Sequence, residues 1–345
     1  MTAQLQAEAT TNAQPTTNQP TMKAIVRERY GSPDVLELKD VPKPVLGDDG
    51  VLVRVRAASI NAYDWHMLRG SPSLVRMSEG WRRPKNRAMG VDLAGEVEAV
   101  GKNVTVFRPG DLVFGARTGA LAEYVRGTAT SALAPKPAGL TFAEAAAVNM
   151  AGTTALQGLR DKGQIKAGQR VLVNGASGGV GTFAVQIAKA FGGHVTAVTS
   201  TKNVDLVRSL GADEVIDYTQ EDFTRSGRRY DLIFDVAASR SLRETRRVLA
   251  PNGILVMVGV KGGRRMAPIV ARLLTAVVWT RLAGKKRMLP FLAHNSTADL
   301  LVLKELIDSG KVRPVIDRTY PLSETADAIR YLEEGHARGK VVITI

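Results

Sequence analysis

Val171-Leu172-Val173-Asn174-Gly175-Ala176-Ser177-Gly178-Gly179-Val180-Gly181 is the stretch that decides the fold. An apolar run enters a glycine-rich turn and leaves it with a helical apolar period, predicting a strand over 170–174 and a helix over 180–191. Glycines allow a tight turn, a close backbone approach to a pyrophosphate and close helix–strand packing. The helix N-terminus adds free N–H groups and a positive dipole end. Strictly the motif is Ala-x-Gly-x-x-Gly, with Ala176 in the first glycine place. Glycines alone are weak evidence, but a strand before and a helix after predict that Gly175, Ala176, Ser177, Gly178, Gly179, Val180 and Gly181 hold a dinucleotide.

Downstream, the alternation continues. Strands are expected at 194–200, 214–217, 232–236 and 254–259, and helices at 203–210 and 242–249. This is the pattern of βαβ units and a parallel sheet. An NAD site usually offers Asp or Glu about 20 residues after the glycine turn, to bond the ribose 2′-hydroxyl. Here Val198-Thr199-Ser200-Thr201-Lys202-Asn203 has no carboxylate to repel a 2′-phosphate. Its Ser200 and Thr201 hydroxyls and the Lys202 ammonium favour NADP(H). Ser200 and Thr201 also suit a plain helix cap, and both roles can coexist.

Upstream, the period is different. Strands are expected at 23–29, 35–40, 51–59, 94–100 and 111–114. Within them, VLVRVRAAS alternates as a half-buried strand does. Thr141 with Glu144 forms a capping box at the start of an Ala-rich helix. Near the C-terminus, 298–309 reads as helical and 341–345 as extended.

Composition bounds the chemistry. The 345 residues suit two domains, and 44% hydrophobic with 23% charged residues excludes a disordered or fibrous chain. Cysteine is absent and there are four histidines, which removes disulfides, thiolate nucleophiles and cysteine-ligated metals. Residues 1–21 are polar without Lys or Arg and read as a disordered tail, neither a secretory nor a transit peptide. The most apolar stretch, 267–282, is too short and too interrupted to span a membrane, so a cytoplasmic location is expected.

The order of motifs resembles the medium-chain dehydrogenase/reductase superfamily, in its zinc-independent quinone oxidoreductase-like branch. The resemblance rests on Ala58-Ser59-Ile60-Asn61-Ala62-Tyr63-Asp64-Trp65, Gly90-Val91-Asp92-Leu93-Ala94-Gly95-Glu96-Val97 and Pro109-Gly110-Asp111-Leu112-Val113-Phe114-Gly115. It continues through Ala122-Glu123-Tyr124-Val125, the glycine turn, Leu210-Gly211-Ala212-Asp213, and Gly335-His336-Ala337-Arg338-Gly339-Lys340-Val341-Val342. It implies an α/β chain with a GroES-like β-rich catalytic domain over 22–146, completed by 288–345. A Rossmann-type doubly wound parallel sheet that binds NADP would occupy 147–287.

The zinc enzymes of this superfamily carry Cys where Asn61 stands and Gly-His-Glu where Gly90-Val91-Asp92 stands, so no metal is expected. The resemblance places Asn61, Tyr63, Asp64 and His66 at the reaction, with Asn61 lining the nicotinamide pocket, Asp64 orienting its neighbours, and Tyr63, His66 or water as proton source. For the cofactor it adds Asn149 and Thr153 near the nicotinamide ribose, Tyr218 near the adenosine 2′-phosphate, and Val258 and Gly259 beside the nicotinamide. Lys340 either reaches the pyrophosphate or flanks the last strand as a solvated charge. Asp64 is equally a helix-cap carboxylate.

The function implied is hydride transfer from NADPH to a quinone or to the conjugated double bond of an α,β-unsaturated carbonyl, by a homodimer. One alternative is a metal-free NADP-dependent alcohol dehydrogenase or ketone reductase. The other is an RNA or anionic-surface binder that keeps a cofactor site, prompted by residues 225–287, which hold +12 of the net charge of +14. Against nucleic acid, Tyr230, Phe234 and Trp279 are the only aromatics in 225–287, and the first two sit on a predicted strand.

Overall fold

The computed structural model describes residues 19–259, 270–271, 274–276, 280 and 287–345. Most of the expected tail, and most of the apolar stretch 267–282, lie outside the described residues, as does Trp279.

Two short strands, β1 (Thr21–Arg27) and β2 (Leu36–Pro42), pair antiparallel. A seven-stranded sheet follows, centred on β3 (Gly50–Ile60). It contains β4 (Asp92–Val100), β5 (Leu112–Ala116), β6 (Tyr124–Thr128), β7 (Leu133–Pro135), β14 (Ile316–Pro321) and β15 (Lys340–Thr344), in the order β14-β15-β3-β4-β5-β7 with β6 also on β3. The alternation at 51–59 predicts a half-buried strand. Instead, β3 is covered on both faces and only Arg54 is exposed. The helix α3 (Phe142–Ala146) packs on this strand, and an apolar cluster with Val53, Leu93 and Ile343 also buries it.

The capping box forms as predicted: the Glu144 N–H donates to Thr141 Oγ1 at 3.2 Å, and the Thr141 N–H donates to the Glu144 carboxylate at 2.8 Å. The second sheet holds β8 (Arg170–Asn174), β9 (His194–Thr199), β10 (Glu214–Asp217), β11 (Tyr230–Asp235), β12 (Leu249–Met257) and β13 (Arg287–Pro290). Its order is β10-β9-β8-β11-β12-β13 and every pair is parallel. The strand order reverses between β8 and β11, the topological switch point where doubly wound sheets hold ligands beyond their carboxyl ends. The GroES-like and Rossmann-type architecture is therefore present. Tyr230 and Phe234 are buried on β11, away from any base-stacking role.

A single apolar core runs from one sheet to the other. Ala57 and Phe114 of the first sheet, Ala151 and Leu156 of α4 (Asn149–Gln157), and Val173 and Phe234 of the second belong to it. Two further helices, α1 (Ala62–Arg69) and α2 (Ser73–Glu79), follow β3. The chain returns from the second sheet to the first through β14 and β15, so the C-terminal strand lies antiparallel to β3.

Candidate active site

The glycine turn closes β8 onto α5 (Gly179–Ala190). Gly175 makes the turn with φ +88°. A Cβ on Gly181 would lie 2.0 Å from the Gly175 carbonyl oxygen, so the helix sits as near the strand as glycine allows. A Cβ at Gly178 would meet only that oxygen, at 3.7 Å, and no side chain caps the helix. Uncapped N–H groups at the start of α5 suit a pyrophosphate, and a Cβ on Gly179, the first residue of the helix, would meet Lys340 Cδ at 3.1 Å and the Gly339 carbonyl oxygen at 3.3 Å. Ser177, Gly178, Gly179 and Val180 are part-exposed there. Ala176 is different: it is fully buried and its N–H donates to the Val198 carbonyl at 3.1 Å, so it shapes the turn without facing a ligand.

The ends of β9 and β10 bring Ser200, Thr201, Lys202 and Tyr218 together, with Lys202 and Tyr218 exposed. Asn203, missed by sequence reasoning, organises this end. Its amide donates to Ser177 Oγ at 3.1 Å and Ser200 Oγ at 3.2 Å, while its own buried Oδ1 has no partner. That orphaned acceptor fits a ribose hydroxyl. Asp217, on the neighbouring strand, accepts the Thr201 hydroxyl at 2.6 Å. The expected phosphate donor Thr201 is therefore already donating, and a carboxylate stands beside it.

Val258 and Gly259 directly follow β12, and both N–H groups donate to the Asp235 carbonyl, at 3.0 and 3.1 Å. A Cβ on Gly259 would lie 1.8 Å from the Val236 carbonyl oxygen, so the chain passes as close to the end of β11 as glycine allows.

Where β3 ends, a buried polar cluster forms. Asn61 Nδ2 donates to Asp92 Oδ2 at 2.9 Å, and Asn149 Nδ2 donates to Asp92 Oδ1 at 2.8 Å. Lys340 donates to Asn61 Oδ1 and, at 3.3 Å, to the Ile60 carbonyl; its Nζ is 3.6 Å from Asp92 Oδ2. Lys340 is only 3% exposed, so the solvated-charge reading is wrong: its stem lies beside Gly179 and its ammonium enters the cluster. Burial lowers the Lys340 pKa, opposed by the charges of Asp92 and Asp64. Asn149 Oδ1 is buried without a partner, a second orphaned acceptor at the expected nicotinamide ribose. Thr153, one turn on, donates to the Asn149 carbonyl at 2.5 Å.

Asp64 sits in the first turn of α1 and accepts the Asn61 N–H at 2.7 Å, so its cap role is present. Burial pushes its carboxyl up to about 7, against the bond from Asn61. His66 lies at the other end of the helix, outside this cluster. Its Nδ1 is 2.7 Å from the Ser71 carbonyl, which can only accept, so the proton sits on Nδ1 and Nε2 is bare. Burial lowers its pKa, leaving it neutral at pH 7 and a poor acid. Tyr63 is exposed at 39%, and partial desolvation, then the charge of Glu79, raises its pKa. Its hydroxyl stays protonated and has no protein partner among the described residues.

These residues do not fit a catalytic zinc. The ligand places hold an amide already bonded at both ends (Asn61) and an alkyl group (Val91). Among the described residues no three His, Cys, Asp or Glu side chains group as ligands.

Two family models match: the alcohol dehydrogenase GroES-like domain over residues 47–156 and the zinc-binding dehydrogenase over 210–343. Among curated proteins, "NAD(P)H oxidoreductase RTN4IP1, mitochondrial" of Mus musculus is 34% identical, over 94% of this chain and 89% of its own. The "Chloroplast envelope quinone oxidoreductase homolog" of Arabidopsis thaliana is 34% identical, over 93% of this chain and 98% of its own. Among solved structures, the quinone oxidoreductase from Coxiella burnetii superposes with a TM-score of 0.80 at 30% identity, covering 94% of this chain and 100% of that one.

Proposed function

The chain belongs to the medium-chain dehydrogenase/reductase superfamily, in its zinc-independent quinone oxidoreductase-like branch, and from that premise we propose an NADPH-dependent reductase of quinones and α,β-unsaturated carbonyls. That it is an oxidoreductase with a nicotinamide cofactor follows from the relatives; the acceptor and the preference for NADPH are the proposal.

The observation that carries it is the Asn61–Asp92–Lys340 cluster, which engages both ends of the amide at one ligand place while the alkyl Val91 fills the other. Without a Lewis acid, polarising an isolated carbonyl lacks several kcal/mol of charge stabilisation. A conjugated acceptor spreads the developing charge onto a distant oxygen, where hydrogen-bond donors suffice. When bound, the nicotinamide supplies the hydride. Gly178, Gly179 and Val180 would hold its pyrophosphate, Asn203 and Tyr218 its adenosine side, and Asn149, Val258 and Gly259 its nicotinamide side. Tyr63 Oη, protonated and unpartnered, donates to the developing enolate or hydroquinone oxygen. Asn61 walls the pocket with an amide whose two ends are already bonded.

Of the basic stretch behind the binder reading, Arg228 pairs with Glu214 at 2.6 Å and Arg240 with Asp222 at 3.4 Å, while Lys261, Arg264, Arg265, Arg272, Arg281, Lys285 and Lys286 lie outside the described residues. No helix of the described residues is long and apolar enough to cross a membrane. The homodimer and the cytoplasmic location remain proposals, tested by light scattering and by imaging a tagged chain.

The deciding experiment follows NADPH and NADH consumption with 1,4-quinones, 2-alkenals, enones and saturated ketones, with and without chelator. Turnover of conjugated acceptors, faster with NADPH and indifferent to chelator, is expected. Chelator-sensitive reduction of saturated ketones overturns the proposal. Cofactor binding without any turnover moves the anionic-surface binder ahead.

A further inference from the structure

We propose that Asp92 is a positioning residue that, with Lys340 as its counter-charge, fixes the amide orientation of both Asn61 and Asn149 and so sets the nicotinamide pocket. The inference rests on the proposed cofactor site and assigns new roles within it.

Asp92 is wholly buried, yet its two oxygens meet donors from four residues. Oδ2 accepts from Ser59 Oγ at 3.1 Å and Asn61 Nδ2 at 2.9 Å. Oδ1 accepts from Asn149 Nδ2 at 2.8 Å, and the Met150 N–H approaches both oxygens, at 3.2 and 3.3 Å. These donors come from β3, its C-terminal end and the start of α4, while Lys340 comes from β15. A carboxylate accepts only and an ammonium donates only. Between them they determine both ends of Asn61: Nδ2 must face Asp92, and Oδ1 must face Lys340. The same carboxylate forces the Asn149 NH2 group toward itself, which leaves Asn149 Oδ1 as the buried acceptor without a partner. Left to itself, a side-chain amide has two orientations of similar shape and opposite polarity. Here a charge pair selects one of them twice.

A neutral residue at 92 cannot do this. An Asn there presents an NH2 group toward donors on one side, so one of the neighbouring amides turns over. The pair could instead be merely structural, since removing one partner of a buried pair is costly for stability alone. The two roles separate in a double variant, because Asp92→Asn with Lys340→Met restores charge balance without restoring the orientation.

The test measures NADPH affinity by fluorescence titration, steady-state kinetics on the best conjugated acceptor, and Tm. For Asp92→Asn we expect at least about a 10-fold weaker NADPH affinity and a kcat loss on the order of 100-fold, the scale of a misplaced reacting group. In Asp92→Asn/Lys340→Met, Tm recovers most of its loss while kcat and NADPH affinity do not. Asn149→Ala keeps the ion pair and serves if Asp92→Asn fails to fold. It should lose NADPH affinity comparably with a small change in Tm, and where both fold the two losses should not add. Wild-type affinity and kcat in Asp92→Asn, or recovery of kcat together with Tm in the double variant, overturns the proposal. So does unchanged NADPH affinity in Asn149→Ala. If the wild-type protein reduces no acceptor in the panel, the reductase reading fails, and the NADPH titrations alone then decide the role of Asp92.

Discussion

The Gly339 N–H donates to the Ser177 carbonyl at 2.9 Å, tying the first residues of the C-terminal strand to the glycine turn. The next residue, Lys340, carries its ammonium into the Asn61 cluster, so one dipeptide touches the expected cofactor cradle and the expected reaction site. Gly339 holds φ +92°, and a Cβ there would lie 2.3 Å from the Val315 carbonyl oxygen. Gly339→Ala should therefore lower stability by about 1–3 kcal/mol and weaken NADPH binding more than a remote variant of equal Tm does. Chemical denaturation and NADPH titration, compared across the two variants, check this.

Tyr63 and His66 lie one helical turn apart, but only Tyr63 has a proton to give. Tyr63→Phe should reduce kcat by about 100-fold at pH 7, within the range of general acid catalysis, and diminish any solvent isotope effect. His66→Gln should leave kcat within about 3-fold, because its one N–H is held by Ser71. Reversed magnitudes would make His66 the donor.

Asp64 supplies a pH signature. Its folded-state pKa is raised to about 7, so the folded protein holds this proton more tightly than the unfolded chain does. Stability from this group is present below the ordinary carboxylate range and is lost as pH rises through about 7. Asp64→Asn keeps an acceptor for the Asn61 N–H and removes the titration. Its stability relative to wild type should rise between pH 5 and pH 8, by on the order of a few kcal/mol. Urea unfolding at both pH values gives the answer, and a difference that does not change with pH would place the titration elsewhere.

Asp217 bears on the choice of cofactor. Its carboxylate stands on the Thr201 hydroxyl, near where a 2′-phosphate is proposed to sit. Asp217→Asn removes that negative charge and should raise the NADPH-to-NADH preference about 3-fold at physiological salt, and more at low salt. Competition titrations at two ionic strengths measure it. An unchanged ratio would put the 2′-phosphate away from Thr201.

How much of this was legible depends on distance along the chain. The alternation of VLVRVRAAS announced a strand, but its burial on both faces depends on α3 and on the apolar cluster with Leu68 and Ile329, the latter from the far end of the sequence. Asp92 stood in view within Gly90–Val97 as a carboxylate amid apolar residues. Nothing local said that donors from 59, 61, 149 and 150 would converge on it. Asp217 escaped notice because the end of β9 was read alone, whereas the parallel register sets Asp217 opposite Thr199.

The strand, glycine turn and helix of 170–190 were determined by the sequence itself. Apolar period and the need for positive φ at Gly175 act between residues a few positions apart, and so did the Thr141–Glu144 cap. The destination of Lys340 was decided only by the tertiary structure, since its partner Asn61 is 279 residues away. Whether a charge is solvated or enclosed depends on which strands pack around it, and burial makes its partners dictate the orientation of every amide nearby.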